Sequence, residues 1–72
     1  MNEKEILIEL LKLNELQLKF LAEQINVKGV EVSQNTINWV NEISLLTFNI
    51  AEELREQHNV STDELIEILE KL

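Results

Sequence analysis

Few side chains in this chain of 72 residues could carry out chemistry. Histidine occurs once, as His58, and cysteine is absent, so a zinc site built from histidine and cysteine ligands is excluded. The acidic residues Glu52, Glu53 and Glu56 lack the spacing of a calcium loop and are most simply a solvated helix face. The sequence contains no glycine-rich phosphate loop and no pairing of a nucleophile with a base. It therefore predicts a protein that is not an enzyme and needs no metal or cofactor.

A second group of polar residues could bind a macromolecule. The stretch SQNTINWVNE, Ser33 to Glu42, places amide and acidic side chains on one face of a predicted helix. The predicted partner-binding residues share this face: Gln34, Asn35, Asn38, Trp39, Asn41 and Glu42. Asn and Gln can hydrogen-bond adenine, whereas Trp is frequent among the residues that dominate protein interfaces. The alternative is a solvated amide row, with Trp39 filling the edge of the core.

The charge of the chain favours a protein partner over nucleic acid. Fourteen acidic residues against six basic ones give a formal net charge of −8. DNA is bound mainly by neutralising its phosphates with Lys and Arg, and the predicted binding face contains neither. The nearest basic residues in the sequence are Lys19, Lys28 and Arg55. Direct DNA binding is therefore disfavoured, and a basic protein is the expected partner.

Length and composition predict one domain spanning residues 1–72. Apolar residues make up 44 % of the chain, and part of that apolar surface could serve a partner. No apolar run approaches the length of a membrane span, and the opening MNEKEILIEL is acidic where a signal peptide would be basic. The predicted location is the cytoplasm, which suits a chain without cysteine.

The apolar residues in the first part of the chain recur with helical periodicity. The first predicted helix starts near Glu3 and ends near Asn14, because Asn14 and Gln17 have the spacing of a capping box. The second predicted helix runs from about Glu15 to about Val27. Its predicted buried residues are Leu16, Phe20, Leu21 and Ile25. The alternative is one long helix from Glu3 to Val27.

The rest of the chain continues this helical pattern. Gly29 is a plausible C-cap, and Val30 and Val32 are expected to point into the core. Ser33 and Ser61 are predicted N-caps. The third helix has the apolar stripe Ile37, Val40, Ile43 and Thr47, and it either kinks near Ser44 or continues into a stretch that buries Phe48, Ala51 and Leu54. The last helix is predicted to run from Thr62 to Leu72. The predicted fold is an all-α, compact bundle of four to five short helices.

One stretch of the sequence resembles the helix-turn-helix family. Ala22 matches the small residue of the first helix, Val32-Ser33-Gln34 the turn and cap, and Thr36-Ile37 with Val40 the buried anchors of the second helix. The turn GVEVSQNTI is similar to the extended turn of the arginine-repressor type, and LREQHNVSTDELIEIL resembles another helix–loop–helix of the same superfamily. A helix-turn-helix-like helix pair is therefore expected. Where related repressors often carry an arginine, this chain has Trp39.

The size, acidity and Asn/Glu/Lys/Ile/Leu-rich composition of the whole chain resemble the modulator-of-repression antirepressors of temperate lactococcal phages. This resemblance implies a complex with the N-terminal DNA-binding domain of a CI-type repressor. The complex would relieve repression in the lysis–lysogeny switch, within the cytoplasm of the host bacterium. Two alternatives remain: a direct DNA-binding regulator of the Cro or excisionase type, and a DNA-mimicking inhibitor of a host nuclease. The sequence leaves monomer and dimer open.

Overall fold

The computed structural model describes residues 1–29 and 31–72, and these form three helices joined by short connections. In chain order they are α1 (Glu3–Asn26), α2 (Gln34–Gln57) and α3 (Thr62–Glu70). The described residues contain no strand, so the predicted all-α class is confirmed. The number of helices is three, not the four to five expected, because the predicted break at Asn14 does not occur and, of the two alternatives near Ser44, the uninterrupted helix is the one found.

Each helix begins at a polar N-cap whose side chain accepts a hydrogen bond from a free backbone N–H of the first turn. Asn2 Oδ1 accepts from the Glu5 N–H at 2.8 Å. Ser33 and Ser61 accept in the same way, at 3.2 Å and 3.1 Å, so both predicted serine caps are confirmed. His58 is the C-cap of α2.

The predicted break at Asn14 is wrong, since Asn14 lies inside α1. An interior Asn disfavours a helix by only about 0.7 kcal/mol, whereas the apolar pattern on both sides of it keeps one phase. Among the buried and half-buried residues of α1, one row is spaced four and three apart, and we assign it to the side packed against α2: Leu7, Leu11, Asn14, Leu18, Leu21 and Ile25. This spacing is that of a helix packed along its whole length.

α2 is also continuous, and the helix is not interrupted at Ser44. Its own inward residues repeat the same spacing and are likewise buried or half-buried: Thr36, Val40, Ile43, Thr47, Ile50 and Leu54. The Thr47 hydroxyl donates a hydrogen bond to the Ile43 carbonyl oxygen at 2.8 Å, which satisfies a polar group on this inward row. The inward row of α1 and the inward row of α2 are together called the seam.

The long helices α1 and α2 form an antiparallel hairpin. Each has 24 residues and is therefore about 36 Å long. The whole molecule measures 40 × 22 × 21 Å, so both helices must lie along its long axis. Leu11 packs with Leu54 near one end, and Ile25 and Val40 line one cleft near the other. Helix-turn-helix pairs cross at about 90–120°, so the expected helix-turn-helix-like pair is replaced by a hairpin.

α3 covers one end of one side of this hairpin. Leu65 of α3 and Val60 of the preceding loop join Leu11 and Leu54 in the buried core. Ile8 and Ala51 pack against this core from the sides of α1 and α2. At the other end of α3, Lys19 Nζ donates to the Leu72 carbonyl oxygen at 3.5 Å.

Five side chains that were expected in the core are exposed instead: Leu16, Phe20, Val32, Ile37 and Phe48. A pair of packed helices buries one stripe on each, and only the short α3 covers any further surface. The buried apolar core is correspondingly small: Leu11, Ile43, Leu54, Val60 and Leu65. Val30, the other loop residue expected in the core, lies outside the described residues.

Candidate protein-binding face

The six predicted partner-binding residues are all exposed, and all lie in the first half of α2. The Gln34 side-chain amide donates to Asn38 Oδ1 at 3.0 Å, so these two side chains hold each other one turn apart. Trp39 is 52 % exposed, which contradicts the alternative in which its indole fills the core. The amide row is therefore available to a partner, with a large apolar ring beside it.

The seam divides the hairpin into two sides. A residue that follows a seam residue by one position lies about 100° around the helix on one flank, and a residue that precedes it lies on the other flank. Ile8, Lys19 and Ala51 each follow a seam residue. Ile8 and Ala51 pack against the core that includes Leu65 of α3. Lys19 hydrogen-bonds the carbonyl oxygen of Leu72, just beyond the end of α3. α3 therefore lies on the following flank. The preceding flanks of α1 and α2 form the opposite side, called the open face.

On α1, the open face is an uncharged stripe. The residues that precede its seam positions, extended by the C-cap, are Ile6, Leu10, Leu13, Gln17, Phe20, Gln24 and Val27. The five apolar members are exposed, and the two glutamines are half-buried. These positions are again spaced four and three apart, so they form a second, solvent-facing row that runs the length of the helix. This row is called the outer stripe.

On α2, the open face is mixed apolar, amide and acidic. The residues that precede its seam positions are Asn35, Trp39, Glu42, Leu46, Asn49 and Glu53. Because α1 and α2 are antiparallel, their preceding flanks lie on the same side of the hairpin, so this row lies beside the outer stripe. Three of the predicted residues, Asn35, Trp39 and Glu42, therefore belong to the open face. Gln34 and Asn38 point further outward, away from α1, and Asn41 follows the seam residue Val40, so it lies towards the opposite flank.

The molecule exposes more surface than a chain of its size normally does. Its accessible surface is 5189 Å², whereas a compact monomer of 8.4 kDa exposes about 4,600 Å². The excess of about 600 Å² approaches the roughly 800 Å² that one partner contributes to a standard interface. The radius of gyration is 13.6 Å, against about 11 Å for a compact chain of this length. The hairpin is extended and incompletely covered.

A small polar cluster lies where the start of α1 meets the end of α2. Glu3, Glu53 and His58 bring one ligand atom each to within 4.8 Å of one another. His58 Nε2 is buried and has no hydrogen-bond partner among the described residues; it lies 3.8 Å from Glu3 Oε1. The sequence shows no such grouping, because Glu3 is 50 residues from Glu53 and only the hairpin brings them together. Both carboxylates are exposed, which is the ordinary state of surface acids.

An open apolar cleft of about 240 Å³ lies at the loop end of the hairpin, beyond the part that α3 covers. Its lining is Leu18, Leu21, Ala22, Ile25, Asn26 and Val40. Ala22 follows a seam residue, so the cleft opens on the side of α3. The small side chain of Ala22 leaves room there that a larger residue would fill.

Comparison of the chain with models of protein families, with characterised proteins and with solved structures finds no match. None of the three described helices is both long and apolar enough to cross a membrane.

The outer stripe is the part of the open face that sequence analysis missed. Ile6 and Leu10 stand directly beside the seam residues Leu7 and Leu11 in the sequence, and Phe20 was expected in the core. The signal is nevertheless present in the sequence, because two apolar rows with the same spacing run one residue apart along α1. A single packed partner helix buries only one of two such rows.

Proposed function

We propose that the chain is a non-enzymatic regulator that acts by binding another protein through the open face. The observation that carries this proposal is the outer stripe, a continuous uncharged row beside a half-exposed Trp39. Exposed apolar surface of this extent is a mark of interaction sites. Neither Lys nor Arg occurs at any open-face position on α1 or α2, so the face has no group that could neutralise a phosphate backbone.

The partner we propose is a basic DNA-binding protein. Its positive surface would be steered towards a chain of net charge −8, and covering that surface would prevent DNA binding. The resemblance to phage modulator-of-repression antirepressors suggests the N-terminal domain of a CI-type repressor, acting in the lysis–lysogeny switch in the bacterial cytoplasm. This mode of binding needs no helix-turn-helix in the present chain, because the apolar and acidic residues of the open face make the contact.

Displacement of a repressor from its operator tests this function. A fluorescently labelled operator duplex is saturated with the N-terminal domain of a lactococcal phage CI-type repressor, and the full chain is then titrated in. We expect the anisotropy to fall to the value of free duplex, and Trp39→Ala to require a higher concentration for the same release.

The same titration without repressor distinguishes the alternatives. Binding of the duplex by the chain alone, weakening steeply with salt, would support a DNA-binding regulator of the Cro or excisionase type instead. Inhibition of a host nuclease, with no effect on the repressor, would support a DNA mimic.

A further inference from the structure

We infer that the open face seats a single basic amphipathic helix of the partner protein, lying lengthwise along the hairpin. Its apolar side packs on the outer stripe of α1, and its lysine or arginine side chains meet the acidic residues of α2. This inference rests on the proposed function only in taking the partner to be a protein.

The outer stripe supplies the apolar half of the site. Its seven positions from Ile6 to Val27 follow the four–three spacing by which one helix packs against another along its length. From Ile6 to Val27 the stripe rises through 21 residue steps, or about 32 Å, which matches a partner helix of similar length. It carries no charge, so a helix seated on it buries no unpaired ionic group.

α2 supplies the charged half of the site. Glu42 and Glu53 both precede seam residues and are exposed, so they stand on the same flank as Leu46 and Trp39. They are eleven residues apart, which is three helical turns or about 16 Å. A partner helix with Lys or Arg at that separation on one flank could pair with both glutamates. Apolar residues on its adjacent flank could then pack on the outer stripe.

A second copy of the chain is a poorer occupant of this face. It would bring the same carboxylates of Glu42 and Glu53 to the same interface, with no basic residue at the open-face positions to pair with them. It would also join two molecules that each carry a net charge of −8. Like charges placed face to face disfavour association.

Two model peptides test this occupant directly. Both contain only Leu and Lys in equal numbers; in one the leucines fall on one side of a helix, and in the other they are scattered around it. Trp39 is the only tryptophan of the chain, so its fluorescence reports burial of the open face. We expect the one-sided peptide to shift Trp39 emission to the blue and to bind at least about tenfold tighter than its isomer.

Variants with matched exposure locate the binding. Phe20 and Phe48 are 59 % and 55 % exposed, but only Phe20 belongs to the open face. Phe20→Gln should weaken binding of the one-sided peptide by about tenfold, while Phe48→Gln leaves it unchanged. The double variant Glu42→Gln/Glu53→Gln should weaken peptide binding and reduce the dependence of binding on salt. The control Glu67→Gln/Glu70→Gln removes the same number of charges from α3, outside the open face, and should have a smaller effect on both.

Three results would each overturn the inference: equal affinity for the two peptides, equal losses from Phe20→Gln and Phe48→Gln, or a wild-type dimer in sedimentation that Phe20→Gln dissociates. The last would mean that a second copy covers the face. Failure of the proposed function is distinguishable. If the chain does not release the operator but binds the one-sided peptide through Phe20, the regulatory role is wrong and the helix-binding face stands. If the chain releases the operator and Phe20→Gln has no effect on that release, the regulatory role stands and the helix-binding face is wrong.

Discussion

The indole of Trp39 is half exposed on the open face, so its removal should leave no cavity in the core. We expect Trp39→Ala to change the free energy of unfolding by less than about 0.5 kcal/mol. The same change should weaken partner binding by about 2 kcal/mol or more. Thermal melting followed by circular dichroism, together with the operator-release titration, measures both. A large drop in melting temperature, with normal partner binding by the folded fraction, would mean that Trp39 stabilises the core and does not contact the partner.

Leu54 and Leu46 lie on the same helix and differ mainly in burial. Leu54 is fully buried against Leu11 and Leu65, whereas Leu46 is exposed on the open face. We expect Leu54→Ala to destabilise the fold by about 2–5 kcal/mol and Leu46→Ala by about 0.5 kcal/mol or less. Urea unfolding of the two variants compares them directly. Similar losses would show that a partner or a second copy already covers Leu46.

At the scale of the helices, Asn14 is a half-buried polar residue in an otherwise largely apolar seam. We expect Asn14→Leu to stabilise the hairpin by about 1 kcal/mol more than Asn49→Leu. Asn49 is exposed on α2, so its replacement corrects for the higher helix propensity of Leu. Chemical denaturation of both variants provides the comparison. A loss of stability for Asn14→Leu would mean that the Asn14 amide makes a contact worth more than the apolar burial.

Local signals of helix structure were predictable, and the packing of the helices was not. Ser33 and Ser61 were correctly identified as caps, because a cap depends on residues three positions away. The prediction of a cap at Asn14 is wrong, because the structure at this position is decided by packing against α2, which begins 20 residues later. Phe20 and Phe48 were assigned to the core from helical periodicity alone. Which apolar row of a helix is covered depends on where other helices dock, and α3 docks on only one side of the hairpin.

For the whole molecule, a net charge of −8 on 72 residues disfavours the compact state through self-repulsion. The two lysine–glutamate pairs, Lys12–Glu9 and Lys71–Glu67, are at the surface and contribute little. We therefore expect the melting temperature to rise when sodium chloride is raised from about 0.01 M to 0.5 M, because salt screens the repulsion. A fall in melting temperature over that range would mean that attractive ion pairs dominate.

The candidate site was predictable in part for the same reason as the fold. The helical wheel of α2 alone identified an exposed face with Trp39, Asn35 and Glu42. The contribution of α1 required the antiparallel arrangement, since only that arrangement brings the outer stripe beside this row. Gln34, Asn38 and Asn41 are exposed on α2 outside the open face, and the helical wheel of α2 alone could not separate them from the residues on it.

The position of α3 at one end of the hairpin has a consequence for motion. Three helices meet around Leu11, Leu54 and Leu65, whereas near Ile25 and Val40 only two helices are in contact and a cleft opens between them. Local opening should therefore cost least at the loop end. Amide hydrogens around Val40 should exchange with deuterium sooner than those around Leu54, so that the paired helices splay from the loop end while the other end stays closed.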